Sequence, residues 1–380
     1  MKILLVGEYS GLHNSLKEGL IQLNHKVTLV SSGDNFKKYP SDFYTNPKFI
    51  EQNFLLNIVF KLLRKLHFID LKKIETGIRA YIILKKLKGF DIVQLINIDA
   101  CGSYPFIEKK IVSLLKKQNN KLFLLSAGTD YYSVKYAVNK KIRYSILTPL
   151  FEQKVTEKYF KPTLKFITKP YRKLNDYVYK NINGVIASDL DYHIPLKNHP
   201  KYLGLVPNCI VFDKFNFELP EIHHKIIIYH GINNYNYYKK GNDIFEEALT
   251  ILSKKHPNKI EIITTRSIPY AAYINTYNKA HILLDQVYAY DQGYNALEAM
   301  AKGKVVFTGA EKEWLTYYNL KEDTVAINAL PCAKEIAKKL EWLILNPHQI
   351  KVISKNARAF IEREHNYIKS AQKYIEKWRA

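Results

Sequence analysis

The chain has 380 residues, of which 47% are hydrophobic, and carries a formal net charge of +23. That length exceeds one ordinary core and favours two domains of roughly 150–200 residues each. No run of about 18 apolar residues indicates a membrane-spanning helix, and residues 1–7 are predicted as a first strand rather than a secretory signal.

Short β-branched runs alternate with helical periods along the whole chain, which predicts parallel strands joined by crossover helices. In the first half, strands are expected near 2–7, 26–31, 91–96, 121–126, 184–188 and 203–206, and helices near 12–24, 52–67, 70–87, 105–117 and 150–181. In the second half, strands are expected near 225–230, 259–264, 281–284, 304–307 and 324–327, and helices near 241–254, 293–302, 331–344, 347–362 and 367–378.

The strand–helix rhythm therefore runs twice, and the polar, proline-containing segment 213–221 separates the two runs. The predicted fold class is α/β, with two Rossmann-like, doubly wound domains that face each other across a cleft. Ligands of such folds bind at the carboxyl ends of the strands, so the cleft is the expected active site. The predicted division is residues 1–212, a linker at 213–222, residues 223–364, and a final segment 365–380 that crosses back to the first domain.

The charge is uneven, because residues 1–200 hold 33 basic against 16 acidic residues and residues 201–380 hold 25 against 19. Such an excess attracts anions, so nucleic acid, an anionic membrane surface and a polyphosphate substrate are the candidate partners. Only eight of the basic residues are arginine, so a general bias towards lysine remains an equal explanation. No recognised nucleic-acid module is present, and a nucleic-acid partner is not expected.

Cysteine spacing argues against a metal site. Cys101, Cys209 and Cys332 are far apart in the sequence, and as free thiols they fit a reducing cytoplasm. The D-x-D motif Asp189-Leu190-Asp191 is expected on a face away from the cleft, so no metal is predicted.

Two glycine-containing turns are candidates for phosphate binding. The first predicted strand runs into Gly7-Glu8-Tyr9-Ser10-Gly11, a turn that lets backbone N–H groups approach a phosphate, although a plain tight turn explains it equally well. The full G-x-G-x-x-G fingerprint is absent, which argues against a dehydrogenase. Lys240-Gly241 precedes a predicted helix, where a lysine can neutralise a diphosphate or be a solvated loop charge.

The segment 285–306 is the most informative. Gly293 opens a predicted helix, and Glu298 lies within it among small apolar residues. A carboxylate in such a setting must accept hydrogen bonds, and a pair of ribose hydroxyls is a natural donor. An ordinary surface glutamate is the alternative.

Four stretches together resemble the large retaining glycosyltransferase family called group 1, or glycosyltransferase family 4-like, which has the GT-B fold. Gly293–Gly303 resembles its E-x7-E and A-M-A-x-G signature, and Lys240-Gly241 resembles its E-K-G loop. Val206-Pro207-Asn208 with Phe215, and Gly128-Thr129-Asp130, resemble two further motifs of the N-terminal domain. Tyr290 stands at the position of the first glutamate, Tyr235 at that of the family's arginine, and Ala127 at that of a histidine.

The resemblance implies transfer of a sugar from a UDP- or GDP-linked donor to an acceptor hydroxyl, with retention and without a metal. Asp130, Lys240 and Glu298 would be the catalytic residues, with Asp130 on the acceptor side of the cleft. The residues that would bind the donor are Gly11, Lys240, Gly293, Tyr294, Asn295, Glu298 and Tyr290. A nucleotide-sugar epimerase and a non-catalytic carbohydrate- or nucleotide-binding protein are the alternatives.

Such enzymes often use carbohydrate or lipid-linked acceptors in surface polysaccharide or glycolipid assembly at the inner face of the cell membrane. The basic residues between Lys154 and Lys173 step by three or four, with Tyr159, Phe160, Phe166 and Tyr171 interleaved. A second basic, apolar segment covers residues 54–68. Basic amphipathic helices attract anionic lipids, so a cytoplasmic protein with peripheral membrane contact is expected, and solvated helix faces are the alternative.

Overall fold

The computed structural model describes residues 1–34, 38–54, 57–58, 61, 69–268 and 276–380. Most of the helix predicted at 52–67 lies outside these residues. None of the helices in the described ranges is long and apolar enough to cross a bilayer.

Seven parallel strands of the described chain form the first sheet, in the order β3-β2-β1-β4-β5-β6-β7. They are β1 (Lys2–Val6), β2 (Lys26–Ser31), β3 (Phe43–Tyr44), β4 (Ile92–Leu95), β5 (Lys121–Ser126), β6 (Gly184–Ala187) and β7 (Tyr202–Leu205). Four of the five residues of β1 are buried, since helices cover both faces of a parallel sheet. The strand order reverses between β1 and β4, where a doubly wound sheet opens its ligand crevice.

Helices flank this sheet on both sides. They are α1 (Leu12–Gln22), α2 (Lys48–Gln52), α3 (Leu71–Lys86), α4 (Pro105–Gln118), α5 (Tyr131–Val138), α6 (Thr148–Phe151), α7 (Glu157–Leu164), α8 (Lys169–Asn181) and α9 (Leu190–Leu196). The single helix predicted at 150–181 is wrong, because Pro170 lies in the first turn of α8, where a helix starts. The short helices α5 and α9 were not predicted.

Five parallel strands form the second sheet, in the order β12-β11-β10-β8-β9, within the described ranges. The strands are β8 (Ile226–Ile232), β9 (Ile260–Arg266), β10 (Ile282–Leu284), β11 (Val305–Thr308) and β12 (Ile327–Asn328). The helices are α10 (Asn242–Lys255), α11 (Tyr294–Ala301), α12 (Lys312–Tyr318), α13 (Ala333–Leu345) and α14 (Pro347–Glu364). The two doubly wound sheets confirm the predicted α/β fold class.

The last helix, α15 (Tyr367–Arg379), packs against α1 in the first hydrophobic core. Gly19 permits the close approach of the two helices, since a Cβ at this position would lie 2.3 Å from the carbonyl oxygen of Tyr367. At the far end of α15, the buried indole N–H of Trp378 donates to Gln94 Oε1 on β4 at 3.1 Å. The end of the chain therefore stabilises the sheet formed by its beginning.

Candidate active site

A cavity of about 200 Å³, partly open to solvent, lies between the two sheets. Its walls come from segments that follow strands at the facing sheet edges: Gly128 and Thr129 after β5, Asp189 after β6, and Gln286 and Gly293 after β10. The carboxyl ends of parallel strands are the usual place for a ligand in such folds. The cavity is therefore the candidate active site.

Lys240 lies beside a buried carboxylate. Its Nζ donates to Asp285 Oδ1 at 2.8 Å, and the side chains of Lys240 and Asp285 are 31% and 1% exposed. Asn295 Nδ2 donates to the same carboxylate oxygen at 3.1 Å, and Thr308 Oγ1 donates to the other oxygen at 3.2 Å. Asp285 thus fixes the position of the Lys240 ammonium group. The sequence around Lys240 did not predict this contact, because Asp285 lies 45 positions away.

The loop that carries Lys240 docks on the segment after β10. Gly241 has a φ of +69°, and a Cβ at this position would lie 2.7 Å from Val287 Cβ. The N–H of Val287 donates to the carbonyl oxygen of Lys240 at 2.9 Å. Only glycine fits this backbone without strain, so Gly241 brings Lys240 close to the start of α11.

Tyr159 on α7 connects the same loop to the first domain. Its hydroxyl donates to the Tyr235 carbonyl oxygen at 3.1 Å and accepts from the Tyr238 N–H at 3.2 Å. Lys239 Nζ lies 5.9 Å from the centre of the Tyr159 ring, and burial lowers the pKa of Lys239. The position of Lys240 therefore depends on contact between the two domains.

The predicted donor-binding residues at the start of α11 take different positions. Gly293 lines the cavity and precedes the helix, whose first-turn N–H groups have no acceptor within the helix. Asn295 supports Asp285, whereas the Tyr294 hydroxyl bonds to Ser15 Oγ at 2.7 Å and donates to the Cys209 carbonyl oxygen. Tyr294 thus joins α11 to the first domain.

Glu298 is half-buried on α11. Glu298 lies four positions after Tyr294, so the two side chains are on the same side of the helix. Because Tyr294 contacts the first domain, Glu298 lies on the side of α11 that meets that domain.

Tyr290 is not part of the cavity wall. Its side chain is 1% exposed, its hydroxyl accepts from the Arg143 N–H at 3.0 Å, and its ring lies 5.2 Å from the ring of Tyr144. The Arg143 guanidinium carbon lies 4.8 Å from the ring centre and pairs with Glu311. The structure therefore places Tyr290 in an interdomain contact.

Asp130 caps α5. Its Oδ1 accepts from the Ser133 N–H at 2.8 Å, and Ser126 Oγ donates to Oδ2. The preceding residues Gly128 and Thr129 line the cavity, while the Asp130 carboxylate is buried and used to hold their loop.

Gly11 ends the first turn at a φ of +87°, and a Cβ at this position would lie 2.9 Å from the Tyr39 ring. The turn also contains Glu8, which sequence reasoning missed. Its Oε2 accepts from the N–H and Nδ2 of Asn14 at 2.9 and 2.6 Å. Burial raises the pKa of Glu8 to about 7.

Asp189 and Asp191 line the cavity, so their predicted position on another face is wrong. They follow β6, whose carboxyl end opens on the cleft. Asp191 accepts from the Tyr290 N–H at 3.1 Å, and Asp291 from the second domain accepts from the Leu190 N–H at 2.9 Å. Burial raises the pKa of Asp191 to about 7 and that of Asp291 to about 6.

A family model described as "Glycosyl transferase-like" matches residues 239–376. A search of curated proteins gives no match. A TarM variant from S. aureus, in complex with Fondaparinux, alpha-GlcNAc-glycerol and UDP, matches with a TM-score of 0.62 and 11% identity over 100% of both chains.

Two further solved structures match over 100% of this chain. Sucrose-phosphate synthase from Thermosynechococcus elongatus has a TM-score of 0.61 and 13% identity over 98% of its own length. HepE from Anabaena, in complex with UDP-glucose, has a TM-score of 0.56 and 12% identity over 99% of its own length. These likenesses confirm the expected fold, namely the GT-B arrangement of two Rossmann-like domains.

Proposed function

We propose that the protein is a glycosyltransferase that moves a sugar from a nucleotide-sugar donor to an acceptor hydroxyl. The observation that carries this proposal is the Lys240 ammonium, fixed by Asp285 and adjoining the N-terminus of α11. A cation and a helix N-terminus together stabilise the negative charge that develops on a diphosphate leaving group. The TarM and HepE complexes hold UDP and UDP-glucose, which supports a nucleotide donor here.

The proposed roles of the individual residues follow from their places in the cleft. Lys240 neutralises the diphosphate, and Glu298 accepts hydrogen bonds from the ribose hydroxyls. Gly11 allows the turn after β1 to approach the donor, and Asp285 is a positioning residue that acts through Lys240. Because the protein supplies positive charge in this way, the reaction proceeds without a metal, and retention follows the family that the motifs resemble.

The proposed acceptor is a carbohydrate or a lipid-linked sugar in surface polysaccharide or glycolipid assembly, used by a cytoplasmic protein that contacts the membrane. The basic residues between Lys154 and Lys173 give little support to membrane contact. The aromatic residues Phe160 and Phe166 among them are buried, and Lys165 pairs with Asp99 at 2.5 Å. A better surface is the outer face of α3, where Ile78 and Ile82 are 50% and 52% exposed.

The exposed lysines Lys85 and Lys86 follow that apolar face of α3. Apolar side chains beside basic ones are typical of contact with anionic headgroups. We expect co-sedimentation with anionic vesicles at low salt and none with neutral vesicles, and an Ile78→Ser, Ile82→Ser variant to bind less. Equal and negligible binding of the wild type to both vesicles would contradict membrane contact.

The donor proposal is tested by a thermal-shift screen of UDP, GDP, CMP and ADP and their sugars. A ligand at a hundredfold excess over its Kd stabilises the folded state by about 2.7 kcal/mol. We expect one nucleoside diphosphate to shift the melting temperature of the wild type and not that of Glu298→Ala. Glu247→Ala, an exposed glutamate on α10, is the matched control and should keep the shift.

The second candidate is a non-catalytic donor-binding protein, favoured by the buried contact of Tyr290 with Arg143. The two are separated by incubating the protein with the nucleotide-sugar that gives a shift and with acceptor mixtures. Release of free nucleoside diphosphate only when an acceptor mixture is present supports transfer, since release without acceptor is hydrolysis. Binding without release over many hours would support the second candidate.

A further inference from the structure

The charged side chains that line the cavity are all acidic. In a chain of net charge +23, the cavity wall contains three aspartates, and no lysine, arginine or histidine of the described ranges lines it. The three are Asp189, Asp191 and Asp291, and each is at least partly buried. Once ionised, these carboxyl groups are opposite in sign to the net charge of the molecule, and burial raises the pKa of all three.

Hydrogen bonds to these carboxylates come from N–H and hydroxyl groups rather than cations. Asp191 accepts from the Tyr290 and Asp291 N–H groups, at 3.1 and 3.3 Å, and Asp189 accepts from Ser188 Oγ at 3.1 Å. Each carboxylate oxygen can accept two hydrogen bonds, so the group keeps capacity for further donors. Tyr192 also lines the cavity and adds no positive charge; burial, and then the charge of Asp189, raise the pKa of its hydroxyl.

A second observation points to a ligand that donates hydrogen bonds. Gln292 lines the cavity and its side chain is 1% exposed. Its Nε2 donates to the Gly309 carbonyl oxygen at 2.6 Å, while its Oε1 has no partner among the described residues. An acceptor buried without a partner destabilises a folded protein, so such atoms are normally met by a ligand or water.

We infer that this cavity holds the sugar of the donor and selects a sugar without an acidic group, using Asp191, Asp291 and Gln292 as acceptors for its hydroxyl or amino substituents. This inference rests on the proposed function. The donor sugar is favoured over the acceptor because most residues of the segment 286–293 line the cavity, and Val287 of this segment bonds to the backbone of Lys240, the proposed diphosphate site.

The direct test compares Kd values by calorimetry for UDP, UDP-glucose and UDP-glucuronic acid. If GDP is the nucleotide that binds, GDP-mannose and GDP-mannuronic acid replace them. At pH 8 Asp191 and Asp291 are mostly ionised, because their pKa values are about 7 and about 6. A sugar carboxylate then meets like-charge repulsion, so we expect the uronic acid donor to bind at least about tenfold more weakly than its neutral counterpart. In Asp191→Asn, whose amide oxygen can still accept, the difference should fall to about threefold or less.

Asp176→Asn, which removes an exposed aspartate of α8, is the matched control and should keep the wild-type difference. If Asp191→Asn does not fold by circular dichroism, Asp291→Asn replaces it. Equal or tighter binding of the uronic acid donor by the wild type would overturn the inference alone, as would an unchanged difference in the folded Asn variant. Failure of every nucleoside diphosphate to bind would overturn the proposed function as well.

Discussion

Glu8 makes the stability of the first domain depend on pH, and Glu8→Gln should remove that dependence. The side chain is 4% exposed, and burial raises its pKa from 4.5 to about 7. A shift of this size corresponds to roughly 3 kcal/mol, at about 1.4 kcal/mol for each pH unit. The folded state holds the proton of Glu8 more tightly than the unfolded state does. The resulting contribution to the unfolding free energy is therefore fully present below about pH 4.5, and it is lost as the pH rises through 7.

Glutamine has nearly the shape of protonated glutamate and can still accept from the Asn14 N–H, but it does not ionise. The difference in unfolding free energy between Glu8→Gln and the wild type should therefore grow by about 2.5 kcal/mol between pH 5 and pH 8.5. For a domain of this size that corresponds to roughly 5–10 °C in Tm. Comparing the two proteins at each pH removes the contribution of other titrating groups.

Calorimetric scans at pH 5, 6.5, 8 and 8.5 measure this difference. Glu18→Gln on α1 is the matched control, because Glu18 is 38% exposed and pairs with Lys214 at the surface. Its effect should change little across the same range. A Glu8→Gln difference that stays constant with pH, or that shrinks as the pH rises, would refute the reasoning.

Three further predictions concern the site and the last helix. Lys240→Gln leaves the buried Asp285 carboxylate without its cation, so we expect the unfolding free energy in urea to fall by about 1–3 kcal/mol and the nucleotide-induced thermal shift to disappear. Adding Asp285→Asn should recover the stability but not the nucleotide binding. Additive losses of stability in the double variant would contradict the pairing of the two residues. Gly19→Val should push α15 away from α1 and lower Tm by several degrees. An unchanged Tm would show that the two helices can move apart without a loss of stability. The ratio of the Kd of the uronic acid donor to that of the neutral donor should increase from pH 6 to pH 8 in calorimetry, because the pKa values of Asp291 and Asp191 are about 6 and about 7. A ratio of Kd values that does not change with pH would argue against a role for these aspartates.

Local patterns in the sequence determined the strands and the fold class. The apolar run Ile3–Val6 predicts a strand covered on both faces, and Lys240-Gly241 before an amphipathic period predicts a lysine just ahead of a helix. These features depend on neighbours within a few residues. For the same reason, the resemblance carried by residues 293–303 could be read without a structure.

Short helices were harder to predict because one or two turns show little periodicity. Helix α5 begins at the capping box of Asp130 and Ser133, a signal that the sequence does contain. Helix α9 spans seven residues and includes Pro195, which obscures any helical pattern.

The cavity was decided by tertiary structure alone. Asp191 and Asp291 are a hundred positions apart, and Asp191 meets the backbone of the second domain only because the carboxyl ends of two sheets face each other. Likewise, Arg143 gives Tyr290 its buried contact from 147 positions away. Local sequence governs backbone preference and burial pattern, whereas the charge around a site is set by segments that only the packing of the two domains brings together.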